Sequence, residues 1–218
     1  SRLPCTVRDY VFNDFNDKQI LKVTASTNIA FSEVWWFYPS ADSDENNRYV
    51  IYNYQQKIWY YGNLGRTAWI DRGIESLPIA ASTDHFLYEH ESGFDDSSTS
   101  PTTAISAHIE SSQFDIGDGD NFTFINKLLP DLTFRNSTAA SPKATFTLKT
   151  RNFPGGEYLQ SNAKPITQSS AGSSTVVEQF TDQVNIRLRG RSFALRVDST
   201  ETGVTWRLGS PRVDIRPD

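Results

Sequence analysis

Asp115, Asp118 and Asp120 stand in the run Phe114-Asp-Ile-Gly-Asp-Gly-Asp-Asn121, where carboxylates alternate with glycine. A hard cation takes oxygen ligands from a tightly turning loop of this kind. The spacing is not that of an EF-hand loop, and the distal glutamate is missing. The preferred reading is therefore an acidic turn whose glycines supply positive φ. His85, His90 and His108 are the only histidines. His85 and His90 are five apart, and an odd separation on a strand sends side chains to opposite faces, so they do not converge on one ion. Glu33, Asp71, Glu89 or Glu110 could supply the carboxylate pair of a glycoside hydrolase, but nothing around them differs from solvated charge. GxSxG, GxxxxGK[ST] and GxGxxG are absent, which removes the sequence support for a nucleophile elbow or a phosphate-cradling loop. Cys5, the one cysteine, has no His or Asp beside it to depress its pKa. No catalytic residue and no cofactor are expected, and the chain reads as non-enzymatic.

Two other groups carry interaction chemistry. Arg187, Arg189 and Arg191 share one face of a continuous strand, with Arg196 close by. Such a stripe could contact an acidic partner or a DNA backbone. The preferred alternative is cross-strand pairing with Asp182, Asp198 and Asp214, worth at most about 1 kcal/mol each when exposed. The second group is aromatic: Trp35, Trp36, Tyr38 and Trp59. Trp35 and Trp36 are adjacent, so on a strand one points inward and one outward. The outward ring needs cover from another blade, another subunit or a ligand.

These rings belong to the densest strand-forming stretch, 28–64. Two aromatic-rich segments, Glu33–Tyr38 and Arg48–Tyr61, flank a polar turn at Ser40–Asn47. Before them, Val7–Phe12 alternates as a short strand. Asn13–Ser26 reads as a helical turn capped by Asn16 or Asp17, with Ile20, Leu21 and Val23 as its apolar side. After them, short strands at Thr67–Ile70, Pro78–Ser82 and His85–His90 suggest the four-stranded units of a β-propeller, with blades over Phe31–Leu64 and Arg66–Glu91. Residues 92–103 (SGFDDSSTSPTT) lose all apolar periodicity and mark a boundary. Beyond it, alternation is clean in Ala144–Leu148 and Phe193–Val197, the pattern of an antiparallel sandwich with one buried face. Asn152–Ser174, rich in Pro, Gly, Ser and Gln, reads as a long loop that is mobile or interface-forming. The expected fold is all-β. Partial propeller-like blades (1–95) lead through a linker (96–103) to a jelly-roll or immunoglobulin-like sandwich (104–218).

Composition sets the outer bounds. Net charge is −5, which argues against a free-standing nucleic-acid binder. Charge divides along the chain: residues 1–96 hold 14 Asp+Glu and 8 Lys+Arg, residues 97–218 hold 12 and 13. No apolar run reaches the roughly 20 residues of a membrane helix, and Ser1–Tyr10 lacks a signal-peptide core. A single thiol cannot form an internal disulfide. The sequons at Asn121 and Asn136 read as chance matches in the absence of a secretion signal. Methionine is absent, even from position 1. The expectation is a C-terminal piece of a longer protein.

The stretch Phe31-Ser-Glu-Val-Trp-Trp-Phe-Tyr-Pro-Ser40, with Arg48-Tyr-Val-Ile-Tyr-Asn53 and Trp59, resembles structural proteins of tailed bacteriophages and prophages. So do Phe114–Asp120, Leu129-Pro-Asp131, Arg189-Gly-Arg191, Trp206-Arg-Leu-Gly209 and Val213-Asp-Ile-Arg-Pro217, in the same order along nearly the whole chain. The likeness is to tail hub or nozzle proteins of short-tailed phages, which combine a propeller with β-sandwich modules. It implies a virion component made in the host cytoplasm and placed in the tail, without membrane contact. Its partners would be other tail and neck proteins, and it would form a homo-oligomeric ring, typically a hexamer, through which packaged DNA is retained and later passed. The alternative is a receptor- or glycan-binding module of a tail fibre.

Overall fold

In a computed structural model, the described residues are 3–115, 118–152 and 172–217. The chain divides into two compact units, Ser1–Gly93 and Phe94–Asp218. Both are built from antiparallel sheets, none of them closed.

The first unit opens with helix α1 (Arg8–Asn13). This corrects the strand expected over Val7–Phe12. Apolar side chains fall on both parities there (Val11 on one, Tyr10 and Phe12 on the other), so a strand would have no single face to bury. The backbone instead closes a helical turn, with the Val11 amide donating to the Val7 carbonyl at 3.1 Å, and Asp9 sits favourably in its first turn. A 3₁₀ turn follows at Asp17–Lys22, where the Asn16 side chain accepts from the Lys18 amide as a cap. Its expected apolar side does not exist: Ile20 is 58% and Leu21 97% exposed.

Four strands then form a meander in the order β1 (Thr24–Asn28), β2 (Glu33–Tyr38), β3 (Arg48–Asn53) and β4 (Ile58–Asn63). β1 was expected to be the end of a helix. Its sequence, TASTN, carries little apolar signal, and it is a strand because it pairs with β2 along its whole length, Thr24 with Phe37 through Asn28 with Glu33. The β3–β4 connection is the tight turn expected at 54–57. There the Asn53 carboxamide accepts from the Gln55 and Gln56 amides, and Lys57 takes φ 60°. A second meander contains β5 (Ala68–Ile70), β6 (Ile79–Ala81) and β7 (Leu87–Glu89).

The core of this unit is aromatic. Register places Trp35 and Phe37 on the same face as Tyr49 and Ile51, and that face packs on Trp69 and Ala80 of the second sheet. Trp35 and Trp69 stack with centroids 5.1 Å apart, and the Trp69 indole N–H donates to the Thr27 carbonyl at 3.0 Å. Burying rings of this size supplies a few kcal/mol each, which lets a unit with few aliphatics hold together.

The second unit begins with the short pair β8 (Asp95–Asp96) and β9 (Thr103–Ala104). The stretch read as a linker is therefore bracketed by a strand pairing. Then come β10 (Ala107–Glu110), β11 (Phe114–Asp115), β12 (Thr123–Leu129), β13 (Leu132–Thr133), β14 (Lys143–Arg151), β15 (Gly172–Glu178), β16 (Val184–Gly190), β17 (Ser192–Ser199), β18 (Arg207–Leu208) and β19 (Arg212–Pro217). One sheet has the order β10-β17-β14-β15, with β11 also on β17. A second has the order β16-β12-β19, and β13 pairs with β18. The alternation expected for 144–148 holds: Ala144, Phe146 and Leu148 are buried, while Thr145 and Thr147 are not. These side chains share one core with Ile125 and Leu128 of β12 and with Val184, Ile186 and Leu188 of β16. Most of residues 152–174, the expected long loop, lie outside the described residues; Gly172–Ser174 belong to β15.

Candidate functional site

The sequence motifs that carry the resemblance turn out to brace the fold. Asp131 accepts from the Gly209 amide through its carbonyl and from the Ser210 amide through its carboxylate, both at 2.8 Å. A side chain at Gly209 would collide with that carboxylate. Leu129-Pro-Asp131 and Trp206-Arg-Leu-Gly209 are thus two halves of one clasp, continued by the β13–β18 pairing. Arg189-Gly-Arg191 is the crossing from β16 to β17, where a Cβ on Gly190 would approach the Thr150 Cβ to 2.9 Å. Phe114 packs on Phe193 at 6.1 Å.

The candidate ion ligands do not assemble. Asp115, Asp118 and Asp120 are each exposed. Gly119 takes φ +73°, as an acidic turn requires. Among the described residues, no three His, Cys, Asp or Glu side chains group as metal ligands. Three of the four carboxylates considered for hydrolysis are engaged locally. Glu33 accepts from the Trp35 indole at 3.0 Å. Asp71 accepts from the Thr27 hydroxyl and the Ile29 amide. Glu110 binds Lys149 and Arg196; burial opposes its ionisation, but those two cations outweigh it and hold its pKa below the usual value. The fourth, Glu89, is exposed on β7.

Of the ring candidates, Trp35 and Tyr38 are buried, at 9% and 2% exposure, so neither offers contact area. Burial, with Tyr10 and Asp14 nearby, pushes the Tyr38 hydroxyl up to about 12. Trp36 and Trp59 are half-buried on the opposite face, stacked at 5.9 Å, with Tyr52 4.7 Å from Trp59. The outward ring, Trp36, is covered in part by Trp59, and the chain's own N-terminal segment packs on other residues of the same face. The Trp59 indole donates to the Pro4 carbonyl at 3.0 Å, Tyr10 lies 3.9 Å from Tyr61, Phe15 packs on Tyr38, and Arg48 pairs with Asp14 at 3.2 Å.

The first sheet therefore meets other parts of the chain on both faces, only partly on the outward one, where Tyr61 is 50% exposed. Among the described residues, the second sheet is covered on one. Trp69 and Ala80 point into the core. The alternate residues, Ala68, Ile70, Ile79, Ala81, Leu87 and the exposed Glu89, fall on the far face, where Ile70 is 72% and Leu87 74% exposed. Phe86 beside them is 64% exposed. Residue-by-residue reading missed this surface. The signal available was apolar residues on both parities of strands only three residues long, which argues for burial on both sides.

The basic stripe splits. Arg187 and Arg189 are exposed on β16, and the guanidinium groups of Arg189 and Arg191 lie over the Phe122 ring at 4.0 and 4.8 Å. Of the aspartates expected as partners, Asp198 does pair within the cluster, with Arg196 at 3.5 Å, along β17 rather than across strands.

His90 carries a measurable consequence. Its ring packs 4.6 Å from Trp69, and its Nε2 accepts from Arg66 Nε at 2.9 Å. Burial, reinforced by the Arg66 charge, lowers its pKa from 6.5 to about 4. The unfolded chain then binds the extra proton first. Stability is full above about pH 6.5, falls as pH drops from there toward about 4, and levels off below. A shift of this size corresponds to a few kcal/mol at full effect; partial exposure of the ring reduces it to about 1–2 kcal/mol. Urea unfolding followed by tryptophan fluorescence should show this loss in the parent. His90→Gln should show a correspondingly flatter profile over the same window, and equal slopes would refute the assignment.

No protein-family model and no curated protein matches this chain. Among the described residues, no helix is long and apolar enough to cross a membrane.

Proposed function

We propose that the protein is a structural component of a phage tail, a hub or nozzle subunit. It assembles into a ring, hexameric by resemblance, that retains and conducts packaged DNA. In this reading the first unit contributes propeller-type blades and the second a β-sandwich. The observation that carries it is the open far face of β5-β6-β7 around Ile70 and Leu87. Its neighbouring sheet packs on both faces, partly on the outward one, so a single-sided sheet of the same make is a contact surface awaiting a partner. A patch on one side of a subunit that meets a different patch on the next copy closes into a ring. The braced motifs also suit a part whose function lies in shape and interfaces. The glycan-binding alternative has weaker support, because its indole platform is half-buried beneath the N-terminal segment.

Sedimentation of the purified chain should show concentration-dependent self-association. The pair Ile70→Asp and Leu87→Asp should raise the dissociation constant about 100-fold or more, as loss of central apolar anchors does. In purified particles, peptide 67–72 should occur at copy numbers near those of the portal ring. A chain that stays monomeric at all concentrations and is missing from particles would overturn the reading.

A further inference from the structure

The outward face of the β16-β12-β19 sheet is more basic than the arginine stripe alone. Val213 and Ile215 pack against the core with Ile125 and Leu128, so alternation turns Arg212, Asp214 and Arg216 of β19 to the outside. Register then sets Arg189 and Arg216 on either side of Phe124, and Lys127 between Asn185 and Asp214. With Arg187, the face carries five cations and one carboxylate, on a chain whose net charge is −5. Arg187, Arg212 and Arg216 are exposed. Among the described residues, none of these three nor Lys127 forms an ion pair. The two arginine columns stand about 10 Å apart, and alternate cations along a strand about 7 Å apart.

We propose that this face binds the phosphate backbone of duplex DNA without reading sequence. Charge complementarity selects a polyanion, since cations that neutralise phosphates release condensed counterions. The shape selects backbone contact. Among the described residues the face is a sheet, with no helix or projecting ribbon to enter a groove. Phe124 is half-buried between two arginines and is poorly placed to stack unpaired bases. The choice of duplex DNA over other polyanions rests on the tail reading above. The charged face itself does not.

Fluorescence anisotropy of the full chain with a labelled duplex of mixed sequence tests this. Binding is expected at low salt, with log K falling against log[salt] at a slope of about −4 for four to five phosphate contacts. The pair Arg187→Glu and Arg216→Glu should weaken binding about tenfold or more and flatten the slope by about two units. Arg187→Gln with Arg216→Gln should do so in the same direction, should the reversal impair folding. Lys18→Glu with Arg72→Glu makes the same change in net charge on exposed positions of the first unit and should leave affinity within about twofold. Equal losses from the two glutamate pairs, no duplex binding at low salt, or binding of heparin without duplex would each overturn the proposal. So would a single strand that binds more tightly than duplex and depends on Phe124. Self-association and particle copy number are read separately. Failure here with those intact overturns the DNA face alone, and the reverse outcome overturns the tail reading alone.

Discussion

Trp69→Ala should cost the first unit about 3–5 kcal/mol, the range for deleting a large buried ring. Trp69 is 8% exposed and lies at the junction of the two sheets. Its ring stacks on Trp35 and touches Phe37 and His90, with centroids at 5.1, 5.8 and 4.6 Å. Its indole N–H satisfies the Thr27 carbonyl of edge strand β1, so truncation removes a cross-sheet hydrogen bond as well as opening a cavity. Domains are stable by only about 5–15 kcal/mol, so the loss should remove a large share of the unit's stability. Trp36→Ala removes a ring of equal size, but that ring is half-buried and, among the described residues, stacks on Trp59 alone. It should cost about 1–2 kcal/mol. Hydrogen exchange read by mass spectrometry over residues 24–63 separates the two, with protection collapsing in the first variant and largely kept in the second. The opposite ranking would mean that the outward rings, not the Trp35–Trp69 stack, hold the unit together.

That ranking could not be read from the sequence, and the reason is physical. Trp35 and Trp36 sit in the most β-prone stretch and draw attention, whereas Trp69 lies in a three-residue strand with no pattern of its own. Alternation says that adjacent rings face opposite ways. It does not say which way is inward, because that depends on a second sheet and on an N-terminal segment folding back over the first. Local chemistry was legible where it is locally decided: the Asn16 cap, the 54–57 turn and the strict alternation of β14 all follow from neighbours in the chain. β1 was not legible, because its polar side chains become a strand only by pairing with β2. The basic face was half legible. Arg187 and Arg189 share a strand, but Lys127, Arg212 and Arg216 join them only through the order β16-β12-β19, whose central strand pairs with segments far away in sequence.

Phe146→Ala should have the matching effect in the second unit, again about 3–5 kcal/mol. Phe146 is 2% exposed, in the middle of β14, between Thr175 of β15 and Val197 of β17. β14 is a central strand of its sheet, so neither neighbour can close over the vacated volume without breaking register. The adjacent Thr147 points the other way, exchanging a hydroxyl hydrogen bond with Ser174 at 2.8 Å. Thr147→Ala should therefore cost under about 1 kcal/mol. Urea unfolding gives the totals, and exchange protection over 143–151 and 192–199 gives the location. The core that Phe146 fills also seats Ile186 and Leu188, whose strand turns Arg187 and Arg189 outward. Loosening it should blur the basic face as well, so Phe146→Ala should lose duplex DNA binding although it changes no charge. DNA binding retained at full strength in a chain whose β14 amides exchange freely would mean that the arginines do not act as a face held by this sheet.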